Sequence, residues 1–359
     1  MSEKLNIGII GAGKVAQIAQ IPAFERLPDV NILAVADVNL DVANAIAQRH
    51  HIPQAYDSHT ALLEDSSIDA VVTVLPRPST GPVSLDCLKA GKHILTEKPM
   101  CGSVAQAQVL NEAAEKANRR HIVGYMKRFD AGVEWAKAAM DRLLAEKTLG
   151  EIMFVRLHCY QGDDAINAHN PLTAPPPESN GPEWSMAPAW LEEEWHIPYH
   201  VYLNRYCHDI NLLHHLLPEP LSVVQFRYTD LFSQIALLDM NGVTVTVETG
   251  FNQFHGWDEV LEIYFEKGRL ILRPPAPFLP FTSAQVELVS AEGVKGGPAT
   301  ESPVIPPSWA FYRQAEAFIE TIQSDTPSPN DAVSAFQDLA LIEELWKSVE
   351  RSRPAQETQ

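Results

Sequence analysis

Leu5-Asn6-Ile7-Gly8-Ile9-Ile10-Gly11-Ala12-Gly13-Lys14-Val15-Ala16 is a short apolar run that breaks into a Gly-x-Gly-x-x-Ala turn. A run of this length rich in isoleucine reads as a buried strand, and the helical pattern Val15 to Leu27 follows at once. Gly11 permits the tight turn, Gly13 lets the backbone approach a pyrophosphate, and Ala16 keeps the helix close to the strand. The helix start then offers unpaired N–H groups and a partial positive charge to an anion. The competing reading is a glycine turn between any strand and helix. Position at the first strand–helix junction favours a dinucleotide. So does Asp37, at the end of the second strand and about twenty residues on. A carboxylate there accepts from ribose hydroxyls and repels a 2′-phosphate, and no Arg or Lys lies in Val38 to Ile46 to welcome one. The expected cofactor is therefore NAD rather than NADP, although Asp37 also reads as a helix cap.

Outward from this turn, strand-like runs recur at Ile32–Ala36, Ala70–Leu75, His93–Thr96 and His121–Gly124. Helical segments separate them: Leu40–His50, Ala61–Asp65, Pro82–Ala90 and Val104–Asn118, the last with Ser103 as N-cap and Gln106 as its capping-box partner. Alternation at this spacing predicts a doubly wound parallel sheet covered by helices. After Arg128 the pattern changes. A helix (Ala131–Leu144) and a strand (Ile152–Tyr160) lead to a long Pro-, Asn- and Trp-rich stretch, 161–198. A helix with His208, Asp209 and Leu212 follows, and then strands Ser222–Tyr228, Gln234–Leu238, Val243–Thr249, Glu259–Phe265 and Arg269–Leu272. Turn signals such as Asn241-Gly242 give them the look of an antiparallel meander. Helices Trp309–Gln323 and Asp331–Glu350 close the chain. The expected division is 1–128 for the dinucleotide-binding domain and 129–359 for a domain of substrate binding and oligomerisation.

The totals narrow the partners. A chain of 359 residues with 45% hydrophobic and 20% charged content is long enough for two cores. A net charge of −19 repels phosphate backbones and anionic lipid, so neither nucleic acid nor membrane is an expected partner. The four cysteines are scattered without a Cys-x-x-Cys pair, no run is long enough to span a bilayer, and the amino end lacks a signal-peptide pattern. These features read as cytoplasmic.

The second chemical signal is Glu97-Lys98-Pro99, where a parallel strand ends at its carboxyl edge, the edge at which open α/β sheets bind ligands. A lysine there can hydrogen-bond a substrate hydroxyl, and partial burial would let it share a proton. Pro99 restricts Lys98 to extended geometry. A surface lysine before a loop proline is the alternative.

Gly11–Ala16, Val35-Ala-Asp-Val-Asn39 and Ala90-Gly-Lys-His-Ile-Leu-Thr-Glu-Lys-Pro99 together resemble the Gfo/Idh/MocA family of sugar and inositol dehydrogenases. The resemblance continues at Gly124–Phe129, at Asp209-Ile-Asn-Leu-Leu213 and at Asp331-Ala332. It implies an N-terminal Rossmann domain and a C-terminal α+β domain on an open, mostly antiparallel sheet, often a homodimer or homotetramer through that sheet. It places the cofactor against Gly11, Gly13, Lys14, Val15, Ala16, Asp37, Leu75, Glu97 and Lys98. The family's Asp-x-x-x-His helix motif reads Asn204-Arg-Tyr-Cys-His208 here, so the histidine is present and the aspartate has become an amide. An amide orients a hydroxyl but takes no proton at neutral pH. Thr80 likewise stands where the family often has a histidine.

Lys98 and His208 are the expected catalytic pair, with Asn204, Lys127, Tyr125, Trp190 and Trp195 expected around the substrate. No metal is expected. His196 and His200, spaced i, i+4, with His208 and Asp209 are the one alternative to that. The Trp-rich stretch has the composition of a lid stacking on a sugar, or else of an arm packed on a neighbouring subunit. The expected function is an NAD-dependent oxidoreductase for a sugar, cyclitol or sugar derivative. One alternative is an NAD-dependent glycoside hydrolase working by transient oxidation and elimination. The other is a non-catalytic NAD-binding sensor.

Overall fold

The computed structural model describes residues 4–163, 171–172, 181–291 and 297–351. The chain forms two compact units. One gathers Met1–Met126, Ala165–His196 and Ala310–Leu339; the other gathers Lys127–Asp164, Ile197–Trp309 and Ala340–Gln359. This division differs from a single linear boundary near residue 128. Among the described residues, Leu172 meets Gln17, Trp184 meets Pro78 and Phe318 of the 310–339 stretch meets Phe24, all within the first unit.

In the first unit, β1 (Leu5–Ile10), β2 (Val30–Ala36), β3 (Gln54–Tyr56), β4 (Ala70–Thr73), β5 (His93–Thr96) and β6 (His121–Val123) form one sheet in the order β3-β2-β1-β4-β5-β6. Every pairing is parallel. The order reverses at β1/β4, which makes that gap the crevice where such sheets bind dinucleotides. Ile7, Ile9 and Ile10 of β1 are buried; each such side chain stabilises by about 1.5–3 kcal/mol. β3 was not expected, because a three-residue polar edge strand carries no apolar run. α2 (Leu40–His50) is capped by Asn39 rather than Asp37, and α5 (Val104–Ala117) by Ser103. α3 (His59–Leu63) and α4 (Arg77–Lys89) complete the crossovers. α4 begins five residues before the predicted start and carries Pro82 inside. A π-helical stretch, Ala16–Gln20, runs into α1 (Ile21–Phe24), where Phe24 meets Phe318 of α8 (Ala310–Ser324) edge-on at 6.2 Å.

In the second unit, α6 (Ala131–Glu146) and α7 (His196–Leu216, from Ile197) accompany a nine-stranded sheet. Its strands are β7 (Ile152–Asp163), β8 (Ser222–Asp230), β9 (Ser233–Met240), β10 (Val243–His255), β11 (Trp257–Phe265), β12 (Gly268–Arg273), β13 (Gln285–Ser290), β14 (Ala299–Glu301) and β15 (Val349–Arg351). The order is β14-β13-β12-β11-β7-β10-β9-β8-β15, antiparallel except for β7/β10 and β8/β15. Asn241 and Gly242 both take positive φ, the geometry the hairpin between β9 and β10 requires. Alternate residues face inward: Val155, Leu157 and Cys159 of β7 are fully buried. The opposite face carries ion pairs, Arg156–Glu248, Arg269–Glu262 and Arg273–Glu287. Helix α7 lays Tyr199, Tyr202 and Tyr206 into an aromatic core with Phe226 and Trp346, the latter from α9 (Ala332–Lys347). Pro198 does not break α7, because it sits in the first turn, where an N–H has no intrahelical acceptor.

Candidate active site

At the end of β1 the backbone at Gly11 takes φ +95°, and a Cβ there would collide with the Val74 carbonyl, so only glycine fits. Leu75 lies beside it. Gly13 and Lys14 are exposed, and a Cβ on Gly13 would meet open space, as a cradle for a bulky anion requires. Ala16 is fully buried, as close helix–strand packing demands, and Val15 is half-buried between them. The Asp37 carboxylate is fixed by two backbone donors. Ala12 N–H reaches one oxygen at 2.8 Å and Asn39 N–H the other at 2.9 Å. It is thereby held beside the phosphate turn, with lone pairs left for ribose hydroxyls. These features fit a nicotinamide dinucleotide.

Two glutamines on the π-helical stretch were not anticipated. Gln20, fully buried, donates to the Glu97 carboxylate at 2.7 Å. Gln17 donates to the Ala12 carbonyl at 2.8 Å. The signal was present, since polar residues three apart lie on an otherwise apolar helix face. Burial pushes the Glu97 carboxyl upward against the opposing pull of Lys98 and of the Gln20 hydrogen bond. Lys98 follows at the carboxyl edge of β5, half-buried, with its peptide bond to Pro99 in cis and its N–H on Glu97 at 3.3 Å. Thr80 is buried within α4, its hydroxyl near the Pro76 carbonyl. Tyr125 is buried, and its carbonyl accepts from Asn330.

Part of the Trp-rich stretch docks on this same unit. The Leu172 backbone is held by Gln17 from both sides, N–H to side-chain oxygen at 2.8 Å and side-chain N–H to carbonyl at 3.1 Å. Trp184 N–H donates to the Pro78 carbonyl at 2.8 Å. That carbonyl lacks its helical partner because Pro82, four residues on, has no N–H. Gly81 leaves room for the Trp184 ring. Trp190 is exposed and Trp195 half-buried.

In the second unit, Asn204 and His208 lie one turn apart on the half-exposed stripe of α7, while Tyr202, Tyr206 and Asp209 lie on its buried face. Lys127 was expected at the substrate. Its buried ammonium instead meets both oxygens of Glu259, at 2.7 and 2.6 Å, and lies 5.5 Å from the Trp257 ring centroid. Trp257 Nε1 also donates to Glu259, at 3.0 Å. Cys159, Asp209 and Glu259 bring ligand atoms within 4.8 Å of one another, the one such grouping among the described residues; His196, His200 and His208 are not in it. Lys127 already supplies the cation that this grouping would otherwise attract. Burial raises Asp209 to about 8, with Lys127 pulling it down and Glu259 pushing it up. Burial works against the Lys127 charge, but Glu259 and then Asp209 outweigh it and lift its pKa.

Residues 5–125 match the profile described as an oxidoreductase family with an NAD-binding Rossmann fold, Gfo/Idh/MocA. Over this domain the chain is similar to the Gfo/Idh/MocA family. Among similar proteins, a trans-1,2-dihydrobenzene-1,2-diol dehydrogenase from Xenopus tropicalis is 36% identical over 151 residues, 42% of this chain and 44% of that protein. The chain thus matches less than half the length of that relative. A myo-inositol 2-dehydrogenase from Thermotoga maritima is 22% identical over 278 residues, 74% of each chain. Among solved structures, a 3-ketoreductase from Actinomadura kijaniata in complex with NADP and TDP-benzene superposes with TM-score 0.74 at 21% identity, covering 97% of this chain and 98% of that one. An oxidoreductase from Agrobacterium radiobacter, in complex with NAD+, L-tartaric acid and magnesium, gives 0.72 at 15% identity, covering 96% of each chain. These two likenesses show the fold alone, a Rossmann sheet followed by an open mixed sheet, across nearly the whole chain.

Proposed function

We propose that the protein is an NAD-dependent dehydrogenase acting on a hydroxyl-bearing carbon of a sugar, cyclitol or sugar derivative. The observation that carries this reading is the Asp37 carboxylate, fixed by Ala12 and Asn39 N–H groups beside the phosphate turn. Its negative charge favours the two ribose hydroxyls of NAD over the 2′-phosphate of NADP. Gly11, Gly13, Lys14, Val15 and Ala16 hold the pyrophosphate, with Leu75 and Glu97 at the neighbouring strand ends. Bound there, the nicotinamide supplies hydride transfer.

The chain's own part is proton handling and orientation. Lys98 Nζ donates to the reacting oxygen and stabilises its developing charge. His208 takes the hydroxyl proton on its ring in the oxidative direction and returns it in the reductive one. Asn204 donates to one hydroxyl and accepts from another without titrating. Trp190 and Trp195 stack on the C–H face of the ring. The relatives' names, a cyclic diol and inositol, support a ring with neighbouring hydroxyls. The open sheet face supports a homodimer or homotetramer. Among the described residues no helix is long and apolar enough to cross a membrane.

Lys98→Met and His208→Gln test the pair: kcat should fall by about a hundredfold or more in each, with NAD affinity kept. A kcat within a factor of about two of wild type in either variant removes that residue from the chemistry. Asn204 in place of the family aspartate favours one second reading, glycoside cleavage by transient oxidation and elimination. Release of aglycone from aryl glycosides without net NADH marks that outcome.

A further inference from the structure

Gln20 is an unusual residue for its place. It closes the π-helical stretch Ala16–Gln20, every residue of which is buried, and it is itself fully buried. π-Helical turns are rare and gather at functional sites. The side chain reaches from the helix of the phosphate turn to the end of β5, where Nε2 donates to Glu97 Oε1 at 2.7 Å. An ionised carboxylate only accepts, so the amide presents its nitrogen. Gln20 Oε1, at the other corner of the amide, is buried with no hydrogen-bond partner among the described residues. A buried acceptor left unmet costs stability, and a methionine of similar shape would avoid that cost. What the amide contributes is therefore its effect on Glu97. That carboxylate is gripped at both oxygens. Oε2 accepts from the Lys98 backbone N–H at 3.3 Å, and a Cβ on Gly124 would lie 3.4 Å from the same oxygen. Burial pushes the Glu97 carboxyl upward; Lys98, the one charge acting on it among the described residues, and the Gln20 donor pull it down. The sheet order β3-β2-β1-β4-β5-β6 sets Asp37, after β2, on one side of the phosphate turn and Glu97, after β5, on the other. A dinucleotide whose adenosine ribose meets Asp37 extends its nicotinamide half toward the ends of β4 and β5.

We propose that Gln20 is a positioning residue that presents Glu97 as a carboxylate to the nicotinamide half of the cofactor, so that the site favours the cationic ring of NAD over the neutral ring of NADH. The proposal deepens the reading of the turn as a dinucleotide site and rests on it. A fixed negative charge attracts a positive ring and gains nothing from an uncharged one. Favouring the oxidised form lowers the potential of the bound couple, which makes bound NADH the stronger hydride donor. Gln20 itself acts only through Glu97.

Titration of the full chain with NAD and, separately, with NADH at neutral pH, by calorimetry and with no substrate present, tests this. Gln20→Met keeps the shape of the side chain and removes the donor; Glu97→Gln removes the charge and leaves the helix untouched. Each should weaken NAD binding about tenfold and leave NADH binding within about twofold, which raises the potential of the bound couple by about 30 mV. The double variant should match Glu97→Gln alone, because the donor then has no carboxylate to hold. With cofactor absent, Gln20→Met should unfold at or above the wild-type Tm, since the unmet acceptor is gone. Equal losses for the two cofactors, or no loss, in either single variant overturn the proposal. So does a double variant whose loss is the sum of the two single losses. A Gln20→Met chain that unfolds below wild type makes the amide a structural link and overturns it as well. A wild-type chain that binds neither cofactor removes the dinucleotide reading itself, and the proposal with it; binding of both with unchanged discrimination in the variants removes the proposal alone.

Discussion

Asp209→Asn is the perturbation that most sharply tests the electrostatics of the second unit. Asp209 is fully buried, next to a carboxylate already paired with Lys127, and its carboxyl is raised from an ordinary 3.8 to about 8. Between these values the folded chain holds a proton that the unfolded chain has released. Stability therefore falls as pH rises through this window and levels off above it. One full proton corresponds to about 1.4 kcal/mol per pH unit, so moving from pH 5 to pH 7 costs about 3 kcal/mol through this group. Asparagine imitates the protonated acid, since its N–H donates to Glu259 and nothing titrates. The variant should match wild type near pH 4 and exceed it by about 3 kcal/mol or more at pH 7, roughly 4 °C in Tm for a chain of this length. Unfolding of both proteins by heat and urea, at steps from pH 4 to pH 9, measures the difference curve. A stability difference that does not change between pH 5 and pH 8 would mean that Asp209 is ionised in the fold, and would refute the reasoning.

Glu259→Gln leaves the buried Lys127 ammonium with Asp209 as its nearest acid; urea unfolding at neutral pH should show a loss below the about 3–5 kcal/mol of an uncompensated buried charge, and the double variant with Asp209→Asn should approach that full cost. Asp37→Ser removes the charge beside the turn, so KM for NAD should rise about ten- to a hundredfold while NADP becomes a comparable substrate. Gly11→Ala forces a Cβ against the Val74 carbonyl at a positive φ, and NAD binding followed by tryptophan fluorescence should be lost. Trp190→Ala with Trp195→Ala should raise the substrate KM, whereas unchanged kinetics with altered oligomer size on a sizing column would make these rings subunit contacts.

The dinucleotide half was legible because its signals are local. Residues Leu5–Ile10 are a strand with the bounds read from the sequence, and the strain at Gly11 and the burial of Ala16 follow from the motif alone. Asp37 was legible as a charge, but its two backbone donors come from residues far apart in sequence. The Lys127 environment was not legible, because Glu259 is 132 positions away and only the β7/β11 pairing brings it close to Cys159. The docking of Trp184 was hidden for a different reason. Pro82 reads as a helix boundary, yet here its missing N–H leaves free the Pro78 carbonyl that accepts from the Trp184 backbone N–H. Strands β13 and β14 were missed because they follow a Pro-rich stretch and owe their pairing to β12.

The most direct test is of the proposed hydride transfer between NAD and a hydroxyl-bearing ring carbon, with Asp37 choosing the cofactor and Lys98 handling the oxygen. Purified full-length protein should be mixed with NAD, and separately with NADP, and with a panel of inositols, cyclic diols and monosaccharides, following NADH absorbance. The account predicts NADH formation with at least one panel member, faster with NAD than with NADP, and abolished by Lys98→Met. No reduction of either cofactor across the whole panel, or a clear preference for NADP, would contradict it.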